Sequence, residues 1–382
     1  MDFAFTEDQE QIGATARRFA DEKLAPFYQA REKETSISRE LMREMGALGL
    51  IGVDLPEEFG GLSSDSVTAG LVMENIASGD MNVAYVQLLG SLMGSIMCRY
   101  APRELAKEVV GGICAGKALV ALGLTEPRGG SDAGNLILKA ERDNKGYVLN
   151  GEKTSISLVA QADSIILLAR TGNAGASGVT GFFVPFDLPG ISRTTFTDLG
   201  SKIIGRGSVF FDNVRIPAEY KIGDEGAGFR QVMQGFDYSR ALIGLQVLAP
   251  AWESLQETWK YATERKAFGH PIAKFQGVTE PLAEAETLLT ACRLLCYRTL
   301  WLRDQQKPHT SEAAMCKWWV PKTSFETIHR CLLTHGHGGW SMDLPHQQRL
   351  RDVMGLQIGD GTEQIQKMII ARERVGRVAV PY

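Results

Sequence analysis

The chain has 382 residues and a mass of 41.8 kDa, too much for one small core, and at ~150 residues per domain it makes two or three packed units. A net charge of -4, with 44% apolar and 23% charged residues, is the balance of a globular chain, and no basic cluster interleaved with aromatics offers a nucleic-acid surface. No apolar run approaches the ~20 residues of a membrane span, and the acidic start MDFAFTEDQEQ is unlike a secretory signal, so a cytoplasmic or organelle-matrix protein is expected.

Thr6-Glu7-Asp8-Gln9 is a capping-box pattern, and Ile12, Ala16, Phe19, Ala20 and Leu24 follow at helical spacing. Helical patterns continue through SISRELMREMGALGL to about Gly116. The texture then changes to short β-rich runs, SIILLAR (164–170), TGFFVPF (180–186) and GSVFFDNVRIP (207–217), separated by Gly, Asn, Asp and Pro signals and by the loop GNAGASG (172–178). From Phe229 the helical period returns, and EPLAEAETLLTACRLLCYRTLWLRD reads as a long helix of a bundle. The expected fold is mainly α with a middle β domain: helical residues 1–117, β residues 118–228 and a helical bundle over 229–382. With no βαβ alternation, a doubly wound sheet is disfavoured.

Four stretches carry chemistry-bearing residues. In LTEPRGGSD (Leu124 to Asp132) small residues let backbone amides approach a ligand, with hydroxyls from Thr125 and Ser131, although a surface turn explains it as well. In LNGEKTSIS (Leu149 to Ser157), Asn150-Gly151 signals a type I′ hairpin turn and needs no function. In ERKAFGHPIAKFQ (Glu264 to Gln276), Arg265 could meet a phosphate and Phe268 an aromatic ring, but a helix end with a Gly stop accounts for it too. In GDGTEQIQ, Asp360 stands between Gly359 and Gly361 just before a helix, either as an active-site carboxylate or as an ordinary turn residue.

Other features read as structural. No GxGxxG follows a strand, so the nicotinamide-type fingerprint is absent. His335-x-His337 lacks a third ligand at recognisable spacing, and the six cysteines contain no CxxC pair and read as reduced thiols. Cys292 and Cys296, one helical turn apart, and Trp318-Trp319 read as packing.

Taken together and in this order, LTEPRGGSD, LNGEK, LGSKIIGRGSVFFDNVRIP with GDEGAGF, FDYSR, ERKAFGHPIAKFQ and GDGTEQIQKMIIARE resemble the acyl-CoA dehydrogenase family, from the opening helix to Arg372. The resemblance implies an N-terminal helical domain, a β-barrel-like middle domain and a C-terminal four-helix bundle, assembled as a homotetramer. It also implies FAD between the β domain and the bundle, partly bound by a neighbouring subunit. On this resemblance Leu122, Gly123, Leu124, Thr125, Ser131 and Ser157 would meet the isoalloxazine. Arg265, Phe268 and Gln276 would bind the pyrophosphate and adenine portion, and Gly336, Gly339, Thr362 and Gln364 would complete that site. Ser131, Phe236, Asp237 and Arg240 would hold the coenzyme A arms, and Tyr85, Leu88 and Leu89, with Gly359 and Gly361, would wall the acyl pocket. Asp360 would remove the α-proton of an acyl-CoA thioester while flavin N5 accepts the β-hydride, with electron-transfer flavoprotein as the acceptor.

The chain departs from the family pattern in four places. Asp360 replaces the usual Glu, Gly359 a frequent Tyr, Ser155 a common Trp and Leu333 a frequent Gln. The first two withdraw volume around the substrate's α-carbon, which suits a bulky ring there. Ser239 leaves no carboxylate before Arg240, where some branched-chain members carry their base, and the apolar wall disfavours an acidic acyl end. A compact alicyclic acyl group fits these features, and since alicyclic-acid dehydrogenases of the family carry Asp in place of the usual Glu, the resemblance implies cyclohexane-1-carbonyl-CoA as substrate. Short branched acyl-CoA substrates, a nitroalkane-oxidase-like flavoenzyme and a non-catalytic acyl-CoA-binding protein are the alternatives.

Overall fold

The computed structural model describes residues 4–380, so Met1, Asp2 and Phe3 of the acidic start lie outside it. Helix α1 (Glu7–Phe19) starts with the expected capping box, Thr6 Oγ1 accepting from Gln9 N while the Gln9 side chain accepts from Thr6 N. The first helical unit adds α2 (Tyr28–Arg31), α3 (Arg39–Ala47), α4 (Ser66–Asp80), α5 (Ala84–Tyr100) and α6 (Arg103–Cys114). Most of α4 and α5 is buried, because both are apolar around most of their circumference rather than along one stripe.

Among the described residues ten strands follow: β1 (Val120–Gly123), β2 (Lys139–Asp143), β3 (Gly146–Ile156), β4 (Ser164–Arg170), β5 (Val179–Pro185), β6 (Ile191–Thr195), β7 (Gly207–Pro217), β8 (Lys221–Ile222), β9 (Lys266–Ala267) and β10 (His270–Pro271). The main sheet runs β6-β7-β3-β2-β4-β5-β8, with β1 added in parallel to β4, and β9 and β10 form a separate hairpin. SIILLAR forms the central β4, whose unbroken apolar stretch from Ile165 to Ala169 is buried on both faces.

The hairpin expected at Asn150-Gly151 is not there. The two residues lie inside β3, where the pairing with β7 slips between Leu149 and Gly151, and the β2–β3 turn falls instead between Asp143 and Gly146. Gly151 has φ +137, and a Cβ there would sit 3.0 Å from the Leu138 side chain, while Asn150 Oδ1 accepts from Asn213 N. The same preference for positive φ that favours Asn-Gly in a tight turn here serves a β-bulge.

The last unit holds α7 (Gly228–Glu264), α8 (Gln276–Asp304), α9 (Thr310–Thr334), α10 (His337–Trp340), α11 (His346–Gly355) and α12 (Glu363–Val375). Cys292 and Cys296 are fully buried, as expected of core thiols. All six cysteines are free. The units are tied together by buried polar contacts: Asp352 of α11 accepts from Tyr28 Oη (2.7 Å), Asn82 Nδ2 (2.9 Å) and Ser201 N (2.5 Å). Among the described residues no helix is long and apolar enough to cross a membrane.

Candidate active site

Asp360 stands in the turn between α11 and α12, half-buried, with left-handed backbone at φ +55 followed by Gly361 at φ +101. A non-glycine residue with positive φ carries strain and needs outside support. Gln366, fully buried one turn into α12, provides it: its Nε2 donates to Asp360 O at 3.1 Å and Gly361 O at 3.3 Å. Thr362 is the N-cap of α12, and Gln364 is exposed on its first turn. Burial raises the Asp360 carboxyl above its ordinary value, tempered by the positive charges of Lys317 on α9 and Arg240 on α7. A carboxylate so placed is a stronger base than a solvated one.

Tyr85 of α5 and Arg240 of α7 lie within electrostatic reach of Asp360. Leu88 and Leu89 are buried, and Tyr85 is half-buried with its phenol pushed up by burial and by the Asp360 charge. Phe236 and Arg240 are each 5% exposed, the guanidinium 5.7 Å from the Phe236 ring centre, and Arg240 Nη1 donates to Asp237 Oδ1 at 3.2 Å. Asp237 also accepts from Thr310 Oγ1 at 2.6 Å, which fixes α7 against the start of α9. The Ser239 hydroxyl is buried, so no second carboxylate competes with Asp360 at that position.

On the β side, Leu122 and Thr125 are half-buried and Gly123 and Leu124 buried, in and just after β1. Thr125 O accepts from Thr154 N at 2.9 Å, which places β1 beside the end of β3 and the half-buried Ser157. Ser131 is exposed in the loop after β1, where an added Cβ at Gly129 would meet nothing within 4 Å. Ser155 has φ +58 and accepts from Arg206 Nη1 at 3.0 Å, and Arg206 in turn pairs with Asp198 at 2.5 Å and lies 5.1 Å from the Phe196 ring centre. A charged arginine over an aromatic ring thus borders the position where the family pattern has Trp.

The remaining candidates lie elsewhere. Arg265, Phe268 and Gln276 are exposed, at and beyond the far end of α7, with Phe268 93% exposed at φ +54 and touching Phe275 edge-on. At ~1.5 Å per residue, α7 extends ~36 Å from Arg240 to Glu264. Gly336 and Gly339 belong to this far end as well, since the neighbouring His335 ring stacks on Tyr261 at 4.1 Å. Leu333 beside them is 60% exposed. The structure therefore brings Thr362 and Gln364 together with Asp360, and does not bring Arg265, Phe268, Gln276, Gly336 or Gly339 to it within one chain.

The two groups fit FAD in kind. Backbone and hydroxyl donors with no side chain crowding Gly129 suit a flat polar ring, and an exposed arginine beside an aromatic held outward on strained backbone suits a dinucleotide's far half. Among the described residues no group of three or more His, Cys, Asp and Glu could hold a metal ion.

Sequence reasoning missed three residues. Gln366 and Lys317 secure the turn that carries Asp360, and Lys153 Nζ, fully buried, donates to Leu124 O at 3.1 Å and Glu126 at 2.8 Å. A signal existed for Lys317: Ala313, Ala314, Val320 and Ser324 place it on the apolar face of its helix.

Comparison with known proteins matches the N-terminal domain of acyl-CoA dehydrogenases to residues 6–117, their middle domain to 121–214 and their C-terminal domain to 226–374. Probable acyl-CoA dehydrogenase YngJ of Bacillus subtilis is 31% identical, over 98% of this chain and 99% of its own. Benzylmalonyl-CoA dehydrogenase of Aromatoleum aromaticum is 33% identical, over 98% and 99%. The structure of butyryl-CoA dehydrogenase from Megasphaera elsdenii superposes with a TM-score of 0.95 at 28% identity, covering 98% of this chain and 100% of that one. With the three domains matched in order along nearly its whole length, the chain belongs to the acyl-CoA dehydrogenase family and is an FAD-dependent oxidoreductase.

Proposed function

We propose that the protein dehydrogenates an acyl-CoA thioester at its α,β-bond, with cyclohexane-1-carbonyl-CoA as substrate and cyclohex-1-ene-1-carbonyl-CoA as product. The observation that carries the reading is Asp360, a short half-buried carboxylate flanked by glycines and facing two cations, with no carboxylate at position 239. Asp360 takes the α-proton, and the apolar wall of Leu88 and Leu89 keeps water from the carboxylate. Bound FAD supplies the acceptor for the β-hydrogen, taken as hydride at flavin N5. Leu122, Gly123, Leu124, Thr125, Ser131, Ser157, Thr362 and Gln364 hold the flavin half in the same subunit as the base. Arg265, Phe268, Gln276, Gly336 and Gly339 hold the far half of a neighbour's FAD, which the separation along α7 favours and which a homotetramer would supply. Ser131, Phe236 and Asp237 guide the coenzyme A arm. Arg240, buried beside the base, is better placed to balance charge there than to grip a solvent-exposed phosphate.

Domain limits at 1–117, 118–228 and 229–382, a cytoplasmic setting and electron-transfer flavoprotein as acceptor complete the reading. A relative named for benzylmalonyl-CoA, whose α-carbon bears a bulky substituent, is consistent with a site opened by Gly359 and Asp360. The test is an anaerobic titration of the yellow holoenzyme with cyclohexane-1-carbonyl-, isobutyryl-, butyryl- and octanoyl-CoA, following flavin bleaching. Preferential bleaching by the ring thioester supports the reading. Bleaching by the linear thioesters alone overturns the substrate and leaves the family reaction.

A further inference from the structure

Lys317 is 1% exposed and makes no contact ion pair among the described residues. An unpaired ammonium away from water is strongly disfavoured unless other groups compensate it. What compensates it is the turn that carries Asp360: Lys317 Nζ donates to Leu356 O at 2.5 Å and reaches Gly361 O at 3.4 Å. Those carbonyls lie on the two sides of Asp360, so one side chain closes the loop from Leu356 to Gly361 from within. Gln366 holds Asp360 O and Gly361 O from α12. The strained backbone of Asp360 is thus clamped from two helices.

We propose that Lys317 is a positioning residue for the Asp360 base: it staples the base-bearing loop and serves as the buried counter-charge of the carboxylate. The inference rests on the reading of Asp360 as the base. Three other groups share the field: Arg240 from α7, the Tyr85 phenol from α5, and Arg372 of α12, which acts on Arg240. Arg240 already pairs with Asp237, while Lys317 has no carboxylate but Asp360 acting on it. Burial pushes the Lys317 ammonium down to about 8, opposed by the Asp360 charge, and burial raises the Asp360 carboxyl, opposed by the Lys317 charge, so each favours the charged form of the other. The arrangement differs from a simple helix C-cap, which would bind the Leu356 carbonyl without involving the carboxylate.

The test uses Lys317→Met, Lys317→Gln, Lys317→Arg and Asp360→Asn holoenzymes. The first readout needs no turnover: carbodiimide labelling of Asp360 against pH, read by peptide mass spectrometry, gives the midpoint at which the carboxyl loses its proton. Lys317→Met raises that midpoint by about one pH unit, as loss of a nearby opposite charge should. Lys317→Gln, which keeps a donor without charge, raises it too, and Lys317→Arg largely restores it. The second readout is stopped-flow flavin bleaching by cyclohexane-1-carbonyl-CoA and butyryl-CoA. There Lys317→Met slows the limiting rate at least about tenfold with little change in half-saturation, and the acid limb of the pH profile moves up with the labelling midpoint. An unmoved midpoint in a flavin-retaining Lys317→Met or Lys317→Gln protein overturns the inference, and if Lys317→Met does not fold, Lys317→Gln decides. Undiminished bleaching in Asp360→Asn would instead overturn the base assignment, a different failure that the labelling midpoint separates.

Discussion

The Lys153 ammonium lies 2.8 Å from the Glu126 carboxylate, with the lysine side chain wholly buried and that of Glu126 5% exposed. Glu126 also accepts from Ile137 N at 2.7 Å and Leu138 N at 2.8 Å, so the pair fastens the loop after β1 to β3. Although burial opposes it, the hydrogen bond and charge of Lys153 hold the Glu126 carboxyl below its ordinary value. Lys153→Met would leave that carboxylate buried without its cation, at a cost of about 3–5 kcal/mol. Urea unfolding should show that loss, together with weaker flavin retention, and the double variant Lys153→Met/Glu126→Gln should be milder. Equal stability of wild type and Lys153→Met would remove the pair from the account of how the β1 site is held.

Gly361 follows the base at φ +101, and a Cβ there would sit 2.3 Å from Gln366 Nε2, the atom that holds the Asp360 carbonyl. Gly361→Ala therefore strains the backbone and disturbs the clamp at once. Flavin content should stay near wild type while substrate-dependent bleaching slows at least about tenfold, roughly 1.4 kcal/mol in barrier. Gly355→Ala is the control, because its Cβ would meet nothing within 4 Å and the residue ends a helix without positive φ. If both variants bleach at the wild-type rate, the turn geometry does not limit proton abstraction.

The alternation of texture made the order helical, β, helical legible, since periods of 3.6 and 2 are imposed by which face is buried. Asp360 was marked as a candidate by its neighbours, two glycines and a helix start, which left an ordinary turn equally open, and its reading as a base came from the family resemblance. What stayed hidden has one physical origin: contacts between residues far apart in sequence. Lys153 and Glu126 lie 27 residues apart, and Lys317 and Gly361 44 apart, so although the helical spacing sets Lys317 on an apolar face, nothing local names the partner of either lysine. Asn150-Gly151 misled because glycine admits positive φ in an irregular strand as readily as in a type I′ turn, and only the pairing with β7 decides between them. The resemblance implied a cofactor shared between subunits, but not that Gly336 and Gly339 part from Thr362 and Gln364, which depends on the ~36 Å length of α7 between Arg240 and Glu264.

Asp360→Glu tests whether the short base sets substrate choice. The added methylene moves the carboxylate into the space that Gly359 leaves open, where a Cβ would find Gly355 O no nearer than 3.7 Å. Bleaching by cyclohexane-1-carbonyl-CoA should slow while bleaching by butyryl-CoA quickens, so the ratio of the two rates falls by about tenfold or more. A ratio unchanged by the substitution would detach specificity from the length of the base.

His346 at the start of α11 is 1% exposed, its ring 4.5 Å from that of His335 and its Nε2 3.9 Å from Glu257 Oε2. Burial, only partly opposed by Glu257, pushes its pKa down to about 4, so the folded protein holds it neutral. In the unfolded chain the same imidazole titrates at ~6.5, so between these values the unfolded state binds more protons and stability falls as pH falls. The contribution is complete above pH ~6.5 and spent by pH ~4, and over that window it amounts to about 3 kcal/mol. Glu257, paired with Arg349 at 2.7 Å, lies below its ordinary carboxyl value and adds its own loss at the acid end of the window. His335 also has a lowered pKa, so His346→Gln should flatten the curve only in part. Urea unfolding at pH 7, 5.5 and 4.5 distinguishes the cases: a wild-type slope that survives His346→Gln unchanged would assign the acid sensitivity to Glu257 and His335 alone.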